Sequence, residues 1–287
     1  MPSLIDIRRR IRSVRNTQQI TKAMKMVSAA KLRRAQDRVI ASRPYGAALR
    51  ALLADVAAAV IGDESAATHP LLARRPEQHI QLILITGDKG LAGAFNSNSI
   101  KAAQRFGDEH RSATIEFELV GRKGRDFYRK RQVTITGEHV GLAAKVRPED
   151  AAEIAGKLME RFKNEEIDAV YLVYNEFKSM MAQKMVVARV LPVELPEQSE
   201  PVDFIFEQPP LEMLESLLPR YVEIEVYRAL LESTAAEHAA RMTAMDAATS
   251  NASDMIDKLT LYMNRVRQAS ITKEIIEVVS GAAAAAE

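Results

Sequence analysis

Apolar and small residues near the start of the chain recur at alternating steps of three and four, which is the spacing of a coiled-coil seam. One run comprises Leu4, Ile7, Ile11 and Val14, and a second comprises Leu32, Ala35, Val39, Ser42, Gly46, Leu49, Leu53, Val56 and Val60. Between the runs the stripe slips through Ile20, Met24 and Val27. The pattern predicts a coiled-coil helix over residues 1–60, with Ser3 as a candidate N-cap and Pro44 as a candidate kink.

The end of the chain repeats the same rhythm without interruption, which predicts a second coiled-coil helix over residues 211–287. Its seam comprises Leu214, Leu217, Tyr221, Ile224, Arg228, Leu231, Ala235, His238, Met242, Met245, Thr249, Ala252, Ile256, Leu259, Met263 and Val266. Pro209 and Pro210 suit the start of this helix, and Pro219 is a breaker inside it. The two helices would be about 85–90 Å and about 110 Å long. If they pair antiparallel, the second one overhangs by roughly 20–25 Å and has no partner there within the chain.

Residues 77–195 follow a different pattern, in which strands and helices alternate. Apolar stretches predict strands, and amphipathic stretches between them predict helices at about 96–110, 122–131 and 148–165. The strand segments are 80–86, 114–120, 168–174 and 184–193. The expected fold class is therefore a small Rossmann-like α/β domain inserted into an antiparallel two-helix coiled coil. Residues 61–76 and 196–210 are the expected linker and connector.

Composition excludes several kinds of site and segment, but it does not by itself indicate a function. The 287 residues include no cysteine, so disulfides, thiolate metal sites and cysteine nucleophiles are excluded. The first ten residues contain no apolar signal segment, and no apolar run has the roughly 20 residues that a membrane span requires. These features favour a soluble, cytoplasmic protein that reaches any membrane complex through protein partners.

The stretch "ITGDKGLAGAFNS" (85–97) is the one phosphate-binding candidate, because it lies where a strand meets a helix. Its glycines lack both the dinucleotide spacing and the Gly-Lys-Ser/Thr of a P-loop. The favoured interpretation is a tight turn with Asn96 or Ser97 as the helix N-cap, and a bound phosphate is the alternative. The five histidines, His69, His79, His110, His139 and His238, show no metal-site spacing. We therefore predict no catalytic, cofactor-binding or metal-binding residue.

Charge is distributed unevenly along the chain. Residues 1–60 contain 13 Lys and Arg against 3 Asp and Glu, whereas residues 211–287 contain 7 against 12. The basic positions of the first helix are Arg8, Arg9, Arg10, Arg12, Arg15, Lys22, Lys25, Lys31, Arg33, Arg34 and Arg38. Three interpretations stay open: a nucleic-acid face, a solvated face attracted to the acidic last helix, and a collar facing an acidic protein surface. A nucleic-acid face is disfavoured because no aromatic residues are interleaved for base stacking.

Four segments together resemble the gamma subunit of F-type ATP synthases, and the similarity runs essentially end to end. They are "IRRRIRSVRNTQQITKAMKMVSAAKLRRAQ" (7–36), "GDKGLAGAFN" (87–96), residues 220–252, and "NRVRQASITKEIIEVVSGAAA" (264–284). The resemblance implies a central stalk that turns inside a hexamer of alpha and beta subunits and stands on the membrane c-ring. It also implies partnership with epsilon and delta subunits, no cofactor, and a bacterial plasma-membrane location on the cytoplasmic side.

The resemblance also implies which residues meet these partners. Positions matching the family's contacts with the beta subunit are Lys22, Met24, Lys25, Arg267, Gln268 and Thr272. Phe204, Phe206 and Glu207 match the loop that rests on the c-ring. Ala92 replaces a cysteine that many relatives carry, and the cysteine-bearing insertion of chloroplast relatives is absent. A dithiol switch is therefore not expected.

Overall fold

The computed structural model describes residues 3–60, 69–195 and 208–284. The chain forms two compact units. The first, called the helix-end unit, comprises Met1–Ser28 and Met242–Glu287. The second, called the sheet unit, comprises Ala29–Arg241.

Helices and strands alternate between two very long terminal helices. The helices are α1 (Leu4–Ala59), α2 (Phe95–Glu109), α3 (Arg122–Tyr128), α4 (Pro148–Lys163) and α5 (Pro210–Ala284). The strands are β1 (His79–Ile85), β2 (Thr114–Val120), β3 (Thr134–His139), β4 (Ala169–Phe177) and β5 (Gln183–Leu191). Short 3₁₀ turns lie at Pro70–Leu72 and Leu142–Ala144. All four predicted strands and all three predicted internal helices are confirmed.

The five strands form one sheet in the order β3-β2-β1-β4-β5. The first four strands in that order run parallel, and β5 pairs antiparallel with β4. The predicted fold class, an α/β sheet inserted between two long helices, is confirmed. The sequence pattern missed β3 because this short edge strand carries threonines, a glycine and a glutamate where a buried strand would carry apolar residues.

The middle strand β1 is covered on both faces, as its apolar run predicts. Leu82 and Leu84 lie in one core cluster with Phe106 of α2 and Tyr128 of α3. The alternating residues of β1 point to the opposite face of the sheet. There the Gln81 side chain accepts a hydrogen bond from Arg161, so α4 covers that face.

A polar network runs across the α4 side of the sheet. Buried Gln81 donates to Thr136 Oγ1 at 2.6 Å, and Thr136 lies 3.1 Å from Glu118 Oε2. Glu118 Oε1 in turn lies 2.6 Å from Nε2 of His139. Arg161 closes the network by donating to Glu116 at 2.7 Å. These side chains tie edge strand β3 to the sheet with hydrogen bonds in place of apolar packing.

In the helix-end unit the coiled-coil seam continues through polar side chains. Thr21 Oγ1 lies 2.8 Å from Thr249 Oγ1, Lys25 forms an ion pair with Asp246, and Ser28 is buried. The predicted slip through Ile20 and Val27 is wrong, since these side chains are 59% and 57% exposed. The steps of three and four pass unbroken from Val14 to Leu32 through Gln18, Thr21, Lys25 and Ser28. An apolar pattern cannot reveal a seam that is held by hydroxyl groups and an ion pair.

The predicted starts of α1 and α5 agree with the structure, whereas the predicted start of α2 does not. Ser3 caps α1 as predicted, since its Oγ accepts from the Asp6 N–H at 3.2 Å while Asp6 accepts from the Ser3 N–H. Helix α5 begins at Pro210 as predicted. Both α1 and α5 remain helical through their internal prolines, Pro44 and Pro219. The predicted N-cap of α2 at Asn96 or Ser97 is wrong, because α2 begins at Phe95 and both residues lie inside its first turn.

Candidate functional site: the uncovered helix end and the filled crevice

The last turns of α5 have no partner among the described residues of the chain. The Thr21–Thr249 contact sets an antiparallel register that places Leu4 of α1 level with residue 266. Side chains 271–282 are all exposed. The apolar ones among them, from Ile271 to Val279, are between 50% and 71% exposed. This segment therefore presents an apolar surface that another molecule has to cover.

The surface of this helix end, residues 267–282, is slim and weakly polar. Its described polar contacts are short-range within the helix, from Lys273 to Glu277 at 3.4 Å and from Ser270 to Glu274 at 3.3 Å. A Cβ added at Gly281 would meet no atom within 4 Å. Such a helix can slide or turn against a surrounding surface, because it offers few directional bonds to hold it at one angle.

The structure keeps the two groups of predicted beta-subunit contacts apart. Arg267, Gln268 and Thr272 are exposed on the uncovered end of α5. Lys22 is exposed on α1, Met24 is half-buried, and Lys25 pairs with Asp246. Since Asp246 and Arg267 are 21 positions apart on one helix, the two groups are separated by roughly 30 Å. The predicted c-ring contacts Phe204, Phe206 and Glu207 lie outside the described residues.

The basic face of α1 has few partners among the described residues of the chain. The first arginines, Arg8, Arg9, Arg10, Arg12 and Arg15, are exposed. In the described part of the helix-end unit, Lys25 is the α1 cation that pairs with an α5 carboxylate. Attraction between the basic and acidic helices therefore uses few of these charges. The remainder form a positive surface on α1.

Backbone N–H groups in and around the glycine-rich turn after β1, which could bind an anion, are bonded to side chains of the chain itself. The Gly87 N–H donates to Asn96 Oδ1 at 2.8 Å, so the amide that was predicted to cap α2 instead holds the turn. The Asp88 carboxylate accepts from the N–H groups of Arg122, at the start of α3, and of Gly141. These backbone donors lie at the carboxyl ends of parallel strands, where α/β domains bind phosphates. Because internal side chains already use them, the tight-turn interpretation accounts for the motif.

A groove of about 770 Å³ lies in the sheet unit between α1, the end of β4 and α5. Charged side chains pair across its walls. Arg50 lies 2.9 Å from Glu225, Arg228 lies 2.6 Å from the same carboxylate, and Lys178 lies 2.7 Å from Glu176. The groove thus has a mixed-charge lining in which several of the charges are paired. Among the described residues no cluster of His, Asp and Glu is suited to a metal ion.

His238, a predicted seam residue of α5, lies in a positively charged and partly buried position. Burial, together with the smaller effects of the nearby charges of Arg241 and Lys31, lowers its pKa to about 4. Neighbouring Glu237 forms an ion pair with Arg241. Burial raises the pKa of this carboxyl, against the lowering effect of Arg241. His238 is therefore neutral in the folded protein at neutral pH.

The folded protein should lose stability as the pH falls from 7 to 5, and His238 should cause part of the loss. The imidazole has an ordinary pKa of 6.5 when unfolded and about 4 when folded, so the unfolded chain binds the extra proton first. For this partly exposed group we expect a loss of about 1 kcal/mol over that range. His238→Gln should remove it in urea titrations at the two pH values. Equal acid sensitivity of both proteins would contradict the neutral buried histidine.

An apolar helix end without a partner, joined to an α/β unit whose ligand crevice is filled, is typical of a subunit of a larger assembly. The comparisons with known proteins agree. The profile of the ATP synthase family matches residues 3–285. The ATP synthase gamma chain of Solibacter usitatus is 75% identical over 99% of this chain and 100% of its own length. That of Pelotomaculum thermopropionicum is 52% identical over 99% of each.

Solved structures give the same picture. The central stalk and c-ring structure of Tetrahymena thermophila mitochondrial ATP synthase matches with a TM-score of 0.57 and 27% identity, covering 80% of this chain and 99% of that one. A chain of the Euglena gracilis mitochondrial ATP synthase matches with a TM-score of 0.64 at 19% identity, covering 98% and 94%, which supports the fold alone. This chain belongs to the ATP synthase gamma chain family. None of its described helices is long and apolar enough to cross a membrane.

Proposed function

We propose that this chain is the central-stalk rotor of an ATP synthase and has no catalytic site of its own. It transmits torque between the proton-driven c-ring and the catalytic hexamer of alpha and beta subunits. Proton transport is thereby coupled to ATP synthesis and hydrolysis. The observation that carries the proposal is the uncovered end of α5, residues 267–282. Its Ile and Val side chains are exposed and suited to contact with a surrounding protein surface.

The chemistry of this helix end suits rotation. A shaft that turns inside a collar needs a low energy barrier to rotation at every angle. Large protruding side chains and strong directional bonds would raise that barrier. The segment 275–284 consists mainly of Ile, Val and Ala, with one ion-pairing glutamate, Glu277. Alanine also has the highest intrinsic helix propensity, which favours the helical state in a segment that lacks packing contacts.

The absence of a catalytic role is supported by the filled crevice. In a nucleotide-binding α/β domain, the turn after β1 leaves its N–H groups open for phosphate. Here the Asn96 amide and the Asp88 carboxylate take those donors. Nucleotide chemistry would then belong to the alpha and beta subunits, and this chain would act on them mechanically.

The partner contacts follow from the family resemblance, and they are supported by side chains that stay at least partly exposed. We assign the beta subunit to Lys22, Met24 and Lys25 on α1, and to Arg267, Gln268 and Thr272 on α5. The exposed basic face of α1 would meet acidic segments of the same collar. Phe204, Phe206 and Glu207 would rest on the c-ring, next to the epsilon subunit, with delta elsewhere in the complex.

The same proposal divides the chain by role. Residues 1–60 and 211–287 form the shaft, residues 77–195 form the foot, and residues 61–76 and 196–210 connect them. The shaft and foot would sit peripherally on the cytoplasmic side of a bacterial plasma membrane. This placement is supported by the bacterial relatives that match over the whole chain.

Native copurification tests the proposal directly. The tagged chain, expressed in cells that contain its own ATP synthase operon, should bring down alpha, beta and epsilon subunits in fixed proportion with ATP hydrolysis activity. The isolated chain should bind neither ATP nor NAD in calorimetry. Recovery of nucleic acid instead of these subunits, with salt-dependent gel shifts, would favour the nucleic-acid interpretation of the basic face.

Removing residues 281–287 should leave both folding and coupled ATP synthesis in place. A Cβ added at Gly281 would meet no atom within 4 Å, and side chains 271–282 are already exposed, so little stabilising contact is lost. We expect the free energy of unfolding to change by less than about 0.5 kcal/mol. Membrane vesicles carrying the truncated chain should synthesise ATP at nearly the normal rate. Complete loss of synthesis would contradict a low-friction tip.

A further inference from the structure

Helix α5 passes through the crevice of the sheet unit where α/β domains usually hold a ligand. Buried Glu232, 5% exposed, marks one side of this passage. Its Oε2 accepts a hydrogen bond of 2.8 Å from the N–H of Phe177, the last residue of β4. Its other oxygen lies 3.7 Å from Arg43 of α1. A helix carboxylate therefore binds the backbone at the carboxyl end of a central strand.

Two further side chains of α5 bind the turn that follows β1. Arg241 donates to the carbonyl oxygens of Gly90 and Lys89 at 3.3 and 3.4 Å, and it also pairs with Glu237. The Glu237 carboxylate lies so close to Gly87 that a Cβ added there would come within 2.7 Å of its Cδ. This is the close approach that glycine permits for phosphate in dinucleotide-binding turns.

The rest of this helix segment forms only shallow packing contacts. The other buried positions between Glu232 and Arg241 are occupied by small residues, Ser233, Ala235, Ala236 and Ala239. Small side chains let α5 pack closely against its surroundings, but they form shallow contacts. The charged side chains instead reach main-chain atoms of the sheet, and a load on those bonds passes directly into the strands.

We propose that Glu232, Glu237 and Arg241 form a clamp that fixes the sheet unit to α5, so that torque entering through the sheet unit reaches the shaft. The inference deepens the rotor function proposed above and depends on it. These three are positioning residues, since they act through the turn and strand that they hold. The carboxylates and the guanidinium occupy, from within the chain, the crevice that a nucleotide would take in a related fold.

The test uses the assembled ATP synthase in inverted membrane vesicles, with ATP-driven proton pumping and ATP hydrolysis measured on the same preparation. Glu232→Ala removes the bond to β4, and Glu237→Gln removes the charge beside the turn. In each variant we expect protons pumped per ATP hydrolysed to fall by about threefold or more, while assembly and hydrolysis continue. Glu223→Gln is the matched control, because this carboxylate on the same helix has no bonding partner among the described residues. Normal coupling in both clamp variants would overturn the proposal.

A disulfide bond between α5 and the turn after β1 should restore the coupling that is lost when the clamp is removed. The chain contains no cysteine, so Gly87→Cys with Glu237→Cys introduces the only thiols of this subunit at the point of closest approach. In the assembled complex, oxidation should join them, and pumping per ATP should rise toward the normal value. Reduction should lower it again. A reduced thermal midpoint that the disulfide restores without any change in coupling would show a purely structural role and overturn the proposal.

Failure of the clamp and failure of the rotor function give different results. If the rotor proposal is wrong, the unmodified chain does not assemble with alpha and beta subunits, and its vesicles show no coupled pumping. If only the clamp is wrong, the unmodified complex pumps normally and so do Glu232→Ala and Glu237→Gln.

Discussion

A Gly121→Ala variant is expected to lose more than about 3 kcal/mol of unfolding free energy, enough to disrupt a marginally stable unit. Gly121 links the end of β2 to the start of α3 with a φ of +90°. A Cβ placed there would lie 2.0 Å from the carbonyl oxygen of Thr86. That oxygen belongs to the backbone at the end of β1, so it cannot move away without disturbing the sheet. Urea unfolding followed by circular dichroism would measure the loss.

Gly141→Ala provides a comparison at a second glycine with a positive φ. Its φ of +92° is nearly the same, but a Cβ there would meet no atom within 4 Å. This variant should lose only the cost of the left-handed conformation, about 1 kcal/mol. Gly121 has a ψ of 145° and Gly141 a ψ of −7°, so the difference between the two variants combines the steric clash with the greater backbone strain at Gly121. Equal losses would contradict the close contact between Gly121 and Thr86.

Arg161→Met is expected to destabilise the sheet unit by about 2–3 kcal/mol, because it removes the centre of the polar network under α4. The guanidinium bonds Gln81, Glu116 and Glu166, and the Gln81 side chain is completely buried. Methionine would cover similar apolar area but would leave the amide oxygen of Gln81 without this donor. The expected value is below that of a fully buried ion pair because Arg161 is partly exposed.

Lys157→Met on the same helix is the comparison. Lys157 also pairs with a glutamate, Glu153, at 2.7 Å, but both side chains are more than half exposed. Exposed pairs of this spacing contribute about 0.3–0.5 kcal/mol, so this variant should be nearly as stable as the parent protein. Similar losses for both variants in urea titrations would show that the network contributes no more than a surface ion pair.

The sequence correctly predicted those elements that produce a repeating pattern of apolar residues. The long helices, the buried strand β1 and the alternating α/β order all leave a periodic trace of apolar side chains. Strand β3 does not, since Thr136 and Glu138 occupy an edge that polar bonds secure. The seam between Val14 and Leu32 was misread for the same reason. Its polar pair Thr21–Thr249 becomes visible only when the partner helix is present.

The candidate site was predictable to a similar extent. The unpaired helix end follows from counting residues in two helices of unequal length, and the structure leaves side chains 271–282 exposed as expected. The role of Asn96 could not be read from the sequence. An asparagine near a helix start usually caps that helix, but here its amide bonds Gly87, nine residues earlier. The bonds from Glu232 and Arg241 to the sheet depend on contacts 55 and about 150 residues apart.

The bare end of α5 also has a consequence for the chain before it meets any other subunit. About sixteen residues of helix lack packing contacts with the described residues, so this end should fray more often in a newly made copy than a packed helix does. Proteases cut such segments readily, whereas a copy already enclosed by its collar is shielded. Surplus copies would then be degraded selectively, and the cell's supply of this subunit would follow the number of complexes ready to receive it.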